Sequence, residues 1–590
     1  MGDRFMSTAA TAAPATHGAV EDELLGRVLS TLLREDAYQL RSKAVTEHRP
    51  DGDWLRLPVP GETLLLPVAP EGFQCDVRAR EPVLHTAGGP VRGLQPVLAR
   101  LRGAVAPEDR AGYEAFRTEC HEALATVQLH GAVREETVGR LSAAYGRSTA
   151  AWTGLRGSLA YDTLAAYRDH PVYPTGRARS GLSEAELRAY TPEFHPSFAL
   201  RWLALPREAV TGARAGLPHW WPTPAALGLP ALDGTHLALP VHPLTAGAPL
   251  AGALRARGLE GSAHLAEKPW LEVIPTLSTR TVAVADDPGT HLKLPLATAT
   301  LGQRNRRTIM PGTLLDGEVG QRLLEEITAR EPRFANAVLL ADETTHLGAD
   351  HELLATLVRR YPAGLQDAHV VTVAGLLART PDGRLVAEAL AERYYGGSLA
   401  AFLDAYLTLL LDWHTTLFSY GIALESHQQN TSVVLDAHGG RPRLRLLLKD
   451  NDGPRVHSVR LAARIGGQAA DLLGFDDRRI LVGGDGPVAD VFATITVHLC
   501  AGALAFELAR MGRGSLRQWL GQLRDRLAEA VGRLPEGPAG VLRARVLDAE
   551  RLPVKAMITA GTLLTKERSG AADINKHYVD GPNYLRGEAR

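Results

Sequence analysis

The spacing of apolar positions along this chain changes twice. Early on, "EDELLGRVLSTLLRE" carries leucines and valines three and four residues apart, which predicts a helix with one apolar face. "WLRLPVPGETLLLPV" then alternates around a Pro-Gly break, which predicts short strands. Together they predict a small α+β unit over residues 19–165, after an Ala- and Thr-rich leader, residues 1–18, expected to be disordered. Residues 166–345 hold most of the Pro and Gly punctuation, with short strand-like runs such as "HLALPVHP", "TVAVA" and "HLKLPLATAT", and predict a mainly β middle domain with long loops. Beyond, in 346–590, Phe402, Leu403, Tyr406, Leu409, Leu410, Trp413 and Leu417 repeat at helical spacing, which predicts a mainly helical domain with an inset β-hairpin. The fold class expected is α+β in three domains.

Composition narrows the chemistry. A chain of 590 residues exceeds what one core usually supports, and 45% hydrophobic with 22% charged residues is ordinary for a globular protein. The formal net charge is -1 and the basic residues are dispersed, so neither nucleic acid nor an anionic membrane is an expected partner. Cys75, Cys120 and Cys500 are too few and too scattered for a disulfide framework, a zinc cage or a four-thiolate cluster, so a reduced, cytoplasmic chain is expected. The longest apolar stretches contain charges or turn residues, and no transmembrane helix is expected.

"GIALESHQQNTSVVLDAHGGRPRLRLLLKDNDG" concentrates the candidate chemistry. Two apolar runs joined by Gly439-Gly440 predict a tight hairpin, with Asn430 opposite Lys449 at its open end. That pairing gathers Glu425, His427, Asn430, Asp450 and Asp452 at one rim. Carboxylates with an amide oxygen suit Mg²⁺, which leaves its other positions to phosphates and water; a hairpin end merely solvated by water has the same composition.

Upstream, "PTLSTRTVAVADDPGTHLKLPLATATLGQRNRR" supplies Ser278, Arg280, Thr281, Lys293, Thr300 and Arg304. Arg grips a carboxylate or phosphate bidentately and Lys acts as a compact charge. Alternation puts Lys293 on the face opposite Leu292 and Leu294, aimed either into a cleft or at solvent. "DHPVYPTGRARSGLS" places His170, Tyr173, Arg177 and Arg179 on a loop stiffened by prolines, and "LPVHPLT" puts His242 at a strand end, where a structural role serves equally well.

The order of "HPVYPTGRARSG", "PVHP", "STRT", "HLKLPL", "TLGQR", "ESHQQN" and "KDNDG" resembles the NRPS-independent siderophore synthetases, the aerobactin synthetase (IucA/IucC) family, from about Asp169 to Gly453. The resemblance implies a cupped hand of thumb, fingers and palm, with ATP and Mg²⁺ between fingers and palm, and a possible homodimer. It implies an AMP-forming carboxylate-amine ligase that adenylates citrate or a related carboxylate and condenses it with an amine or hydroxyl. Among the residues matched, His170, Lys293, Arg304 and His427 would be catalytic. His170, Arg177, Ser278, Arg280, Thr281, Lys293, Arg304, Glu425 and Asn430 would bind ATP; Thr300, Arg304 and His427 the carboxylate; Glu425, Asn430 and Asp450 the metal.

The chain departs from the family pattern at Tyr173, where a second His is usual, at Arg177 for a Lys, at Lys449 for an Arg and at Asn451 for an aromatic. A kinase-like phosphotransferase is the nearest rival, because "HQQN" before "KDNDG" echoes a kinase Asn and Asp, but the chain has no Walker sequence, kinase Gly-rich loop or H-R-D. A non-catalytic siderophore-binding protein is the rival from another class.

Overall fold

A computed structural model describes residues 17–212, 216–467, 471–570 and 577–586. Most of the 1–18 leader lies outside the described residues; its last two begin the helix His17–Arg34.

That helix and the longer Arg110–Tyr145 pack over a six-stranded sheet whose path runs Val45–Arg49, Gly52–Leu57, Leu64–Pro70, Leu84–Thr86 and Gly89–Val91, with Val77–Ala79 on Leu64–Pro70. The leucine spacing in the sequence becomes the buried face: Leu25, Val28, Leu29 and Leu32 enter one core with Leu66, Val97 and Phe116. Ile558 and Leu563 belong to the same core, so the C-terminal region is not a self-contained unit beyond residue 346.

The middle of the chain forms an eight-stranded sheet in the order Asp342–Gly348, Ala355–Arg360, Thr290–Lys293, Thr281–Val284, Trp270–Pro275, Phe198–Pro206 and His236–Val241, with His264–Leu265 on Phe198–Pro206. A boundary at 345 therefore falls inside a strand. Asp342–Gly348 and Ala355–Arg360 pair antiparallel with each other, and the latter pairs with Thr290–Lys293, so ladder hydrogen bonds carry this sheet to Arg360.

Helices dominate from Val386 onward, with the apolar Leu399–Ser419 at the centre and Trp413 fully buried. The hairpin Thr431–His438 and Arg441–Leu448 is inset as expected, with His438 opposite Arg441 and Thr431 opposite Leu448. Gly439 (φ 58°) and Gly440 (φ 74°) take the two positive angles of the connecting turn, a conformation that favours glycine. Val338–Leu340 and His369–Thr372 complete a four-stranded sheet around the hairpin.

The continuous helix Asp485–Arg510 is long and apolar enough by length and composition alone to cross a membrane. Packing decides its place: 94% of its most apolar window is buried inside the protein, as a core helix. Within it, Phe492–Gly502 is π-helical. Cys75, Cys120 and Cys500 are free and buried.

Candidate active site

One cavity of about 960 Å³ lies where the three regions meet. Lysines and arginines on its walls outnumber aspartates and glutamates twelve to nine, so its field favours an anionic ligand. His170, Arg177, Ser278, Arg280, Lys293, Thr300, Glu425, His427, Asn430 and Asp450 all line it, although they come from segments up to 280 residues apart. Two residues that the resemblance assigns to ATP do not. Thr281 is buried in the ladder opposite Lys293. Arg304 turns away to donate to the carbonyls of Ala560 (3.0 Å), Thr562 (3.5 Å) and Leu564.

The strand Thr290–Lys293 aims Lys293 as its alternation predicts, with Leu292 and Leu294 in the core behind. Its Nζ donates to Asp450 Oδ1 (2.7 Å) and Asp452 Oδ2 (3.0 Å). The hairpin register puts the Lys449 N–H on the Asn430 carbonyl (3.1 Å), and Asp450 then leaves the strand with φ 58°, so that both aspartates reach the one lysine. Behind them Arg359 donates to Asp450 (2.8 Å) and to Glu343 (2.5 Å), and Glu343 in turn accepts from the Asp450 N–H. Burial alone would raise the Asp450 carboxyl; Lys293, Arg359 and Arg280 outweigh it and hold it well below the usual range.

Arg307 was not singled out in the sequence, yet it lines the cavity with no hydrogen bond or ion pair to its guanidinium among the described residues. Burial, and then the neighbouring charge of Arg280, push its pKa down to about 9. A guanidinium in that position gains most from an incoming anion. Arg280 donates to the Thr308 carbonyl (2.7 Å), which fixes it beside Arg307.

His170 is held by its loop. Its Nδ1 accepts from the Tyr173 N–H (3.0 Å) and the Val172 N–H (3.3 Å), and a Cβ on Gly176 would stand 2.9 Å from its own Cβ, so this turn requires glycine. The N-terminal helix braces the same loop: Arg27 donates to the His170 carbonyl (3.1 Å) and pairs with Asp169, and Arg34 donates to the Val172 carbonyl. Arg177 is committed to Asp169 as well (2.8 Å). His427 Nδ1 accepts from the Gln429 N–H (3.3 Å). Burial dominates both rings and lowers His170 to about 3 and His427 to about 4, so both are neutral near pH 7.

The residues read from sequence as a metal set make contacts of their own within the protein. Glu425 accepts from Lys555 (2.9 Å), a cavity residue with no motif around it to mark it, and Asn430 donates its amide NH₂ to the Glu425 carbonyl (3.2 Å). Among the described residues no group of three His, Cys, Asp or Glu stands in metal-binding array. Asp450 and Asp452 each keep one carboxylate oxygen with no hydrogen-bond partner among the described residues. Two such carboxylates fit Mg²⁺, which binds through one or two of them plus phosphates. Tyr173 is buried in the N-terminal core rather than at the cavity, and His242 is buried with Nδ1 accepting from the Leu244 N–H (3.1 Å).

Comparisons with known proteins cover the segments that line the cavity. The IucA / IucC family model matches residues 159–378, which carry the His170 loop, Ser278, Arg280, Lys293 and Arg307. A second model, the ferric iron reductase FhuF-like transporter, matches residues 400–570, which hold Glu425, Asp450 and Lys555. The rhizobactin siderophore biosynthesis protein RhbC of Rhizobium meliloti (strain 1021) is 27% identical over 529 residues, covering 84% of this chain and 85% of that protein. An L-2,3-diaminopropanoate–citrate ligase of Staphylococcus aureus is 25% identical over 298 residues, covering 46% of this chain and half of that relative. The structure of ATP-bound aerobactin synthetase IucA from a hypervirulent pathotype of Klebsiella pneumoniae superposes with a TM-score of 0.68 at 18% identity, covering 96% of this chain and 99% of that one. Residues 159–378 of this chain form an IucA / IucC family domain.

Proposed function

We propose that this protein is an ATP-dependent ligase that activates a carboxylate, citrate or a related di- or tricarboxylate or its amide, as an acyl adenylate. An amine or hydroxyl then takes the acyl group, and AMP and pyrophosphate are released. The observation that carries the reading is the half-buried Arg307, without a side-chain partner among the described residues, beside Arg280 on the wall of one large cavity that Lys293 also lines. The ATP held by the IucA neighbour and the citrate in the ligase relative's name supply the two anions such a wall would take.

In the first step a carboxylate oxygen attacks the α-phosphorus, and the bond to the β-phosphate oxygen breaks with its electron pair leaving on pyrophosphate. Negative charge grows on the α-phosphoryl oxygens, where fixed cations stabilise the transition state more than the ground state. Arg280 and Lys293 are placed for that, Arg307 for the carboxylate or phosphate, and Ser278 and Thr300 for hydrogen bonds. Asp450 and Asp452 would hold Mg²⁺, which supplies Lewis-acid neutralisation of phosphate charge. In the second step the amine nitrogen attacks the acyl carbon and the bond to the AMP oxygen breaks. Holding the amine in line supplies much of that rate. Arg304, Thr281 and Glu425 drop out of direct ligand contact in this reading, since carbonyls, the sheet and Lys555 respectively engage them.

The FhuF-like match does not favour a reductase. Cys500 is the single cysteine in the matched segment, and a four-thiolate iron–sulfur centre needs four. The test is product analysis with Mg-ATP and citrate, succinate or a citrate amide, with hydroxylamine as trap. Carboxylate-dependent AMP and hydroxamate are expected; ADP would show phosphotransfer, and ligand binding without nucleotide turnover would show a binding protein.

A further inference from the structure

Both histidines on the cavity wall are turned the same way. Nδ1 of His170 accepts from two backbone N–H groups, at 3.0 Å and 3.3 Å, and Nδ1 of His427 accepts from one at 3.3 Å. A ring nitrogen that accepts carries no proton, so in each neutral ring the proton sits on Nε2. Neither Nε2 has a hydrogen-bond partner among the described residues, and both rings line the cavity. We propose that His170 and His427 serve as neutral Nε2–H donors to the acyl oxygens of the adenylate, and not as general bases, an assignment that rests on the synthetase reading.

The surrounding acids agree. Asp169 pairs with Arg177 (2.8 Å), Asp450 and Asp452 with Lys293 (2.7 Å and 3.0 Å), and Glu425 with Lys555 (2.9 Å). Among the described residues, each of these carboxylates beside the histidines is paired with a cation. The acceptor therefore enters as the unprotonated amine. Its nitrogen attacks the acyl carbon and the carbonyl π pair moves onto oxygen, where an Nε2–H receives it. The intermediate then expels AMP, and the ammonium proton passes to water. This selects acceptors that hold a useful fraction of free base at working pH, such as hydroxylamines and amines acidified by neighbouring groups, over simple alkylamines.

The test has two parts. The full chain, labelled with ¹⁵N-histidine, is examined by long-range ¹H–¹⁵N NMR, and His170 and His427 are assigned by loss of their signals in His170→Gln and His427→Gln. Protonated Nε2 with unprotonated Nδ1 is expected for both; protonated Nδ1 at either would overturn the proposal for that residue. This needs no substrate, so it stands apart from failure of the synthetase reading, which would appear as no carboxylate-dependent AMP from the wild type. Then hydroxamate formation is compared in His170→Gln, whose amide N–H replaces the Nε2–H, and His170→Leu. Loss of a transition-state donor costs about 10²-fold, so Gln should retain at least about tenfold more rate than Leu; equal loss in both would show that the ring lone pair was needed.

Discussion

Lys293 and Asp450, 157 residues apart, meet at 2.7 Å on the floor of the cavity, and Asp452 closes the same lysine from the other side at 3.0 Å. The middle sheet and the open end of a hairpin from the C-terminal region are thereby joined by charged contacts at the site itself, Arg359 reaching Asp450 as well (2.8 Å). Such a contact is costly to break from either side, because the partner left behind is a buried charge.

Lys293→Ala is therefore expected to lower carboxylate-dependent AMP formation by more than about 10²-fold. Folding should survive, because Arg359 still holds Asp450 at 2.8 Å. Pyrophosphate release, read beside the melting temperature and circular dichroism, checks both halves. A folded variant with near-normal turnover would remove Lys293 from the site.

Arg304 and Arg307 should separate cleanly. Arg307→Ala is expected to weaken the carboxylate or nucleotide step by about 10²-fold with little loss of stability, since its guanidinium has no partner to abandon among the described residues. Arg304→Ala should instead destabilise by about 1–3 kcal/mol, because it leaves the carbonyls of the 560–564 segment without their donor. Steady-state kinetics and urea unfolding of the two variants read the contrast.

Asp169 gives a pH signature. Burial pushes its carboxyl up, but Arg27 and Arg177 outweigh burial and hold it at about 2, below its ordinary 3.8. A lowered carboxyl stabilises the fold above its unfolded pKa, and that contribution is lost as pH falls through the folded value. Asp169→Asn removes the dependence, so the stability gap between wild type and variant should narrow by about 1 kcal/mol from pH 5 to pH 3. Urea midpoints at the two pH values check it.

Glu35 ties the C-terminal segment to the N-terminal helix region. Its carboxylate accepts from the N–H groups of Ile558 (3.2 Å) and Thr559 (2.9 Å) and from the Thr559 hydroxyl (2.9 Å), three residues beyond the cavity lysine Lys555. Glu35→Ala leaves those donors buried and unpaired, at about 1–3 kcal/mol each before relaxation. Amide hydrogen exchange at Ile558 and Thr559 should accelerate markedly while the hairpin amides of Val433 and Leu446 keep their protection.

Part of this was legible in the sequence because it depends on local periodicity. The Gly-Gly reversal and the two apolar runs set the hairpin register, and the register alone brought Asn430 to Lys449 and gathered the rim residues. Alternation in "HLKLPL" likewise turned Lys293 toward the cavity. Arg304 and Arg307 lie three residues apart in an irregular loop, where no period says which guanidinium faces the ligand. Lys555 is also hidden, since its partner Glu425 is 130 residues upstream and the pairing exists only once the C-terminal segment has packed against the N-terminal core. The boundary at 345 failed for a related reason: a fall in Pro and Gly content does not reveal that two later strands still belong to the same sheet.

The acyl adenylate is the centre of the account, and oxygen transfer tests it most directly. Citrate labelled with ¹⁸O in its carboxyls is incubated with the enzyme, Mg-ATP and hydroxylamine, and the AMP is analysed by mass spectrometry. One ¹⁸O in the AMP phosphate is predicted, because the carboxylate oxygen that attacked the α-phosphorus stays with it when the acyl group leaves. Unlabelled AMP, or ADP with the label in inorganic phosphate, would contradict it.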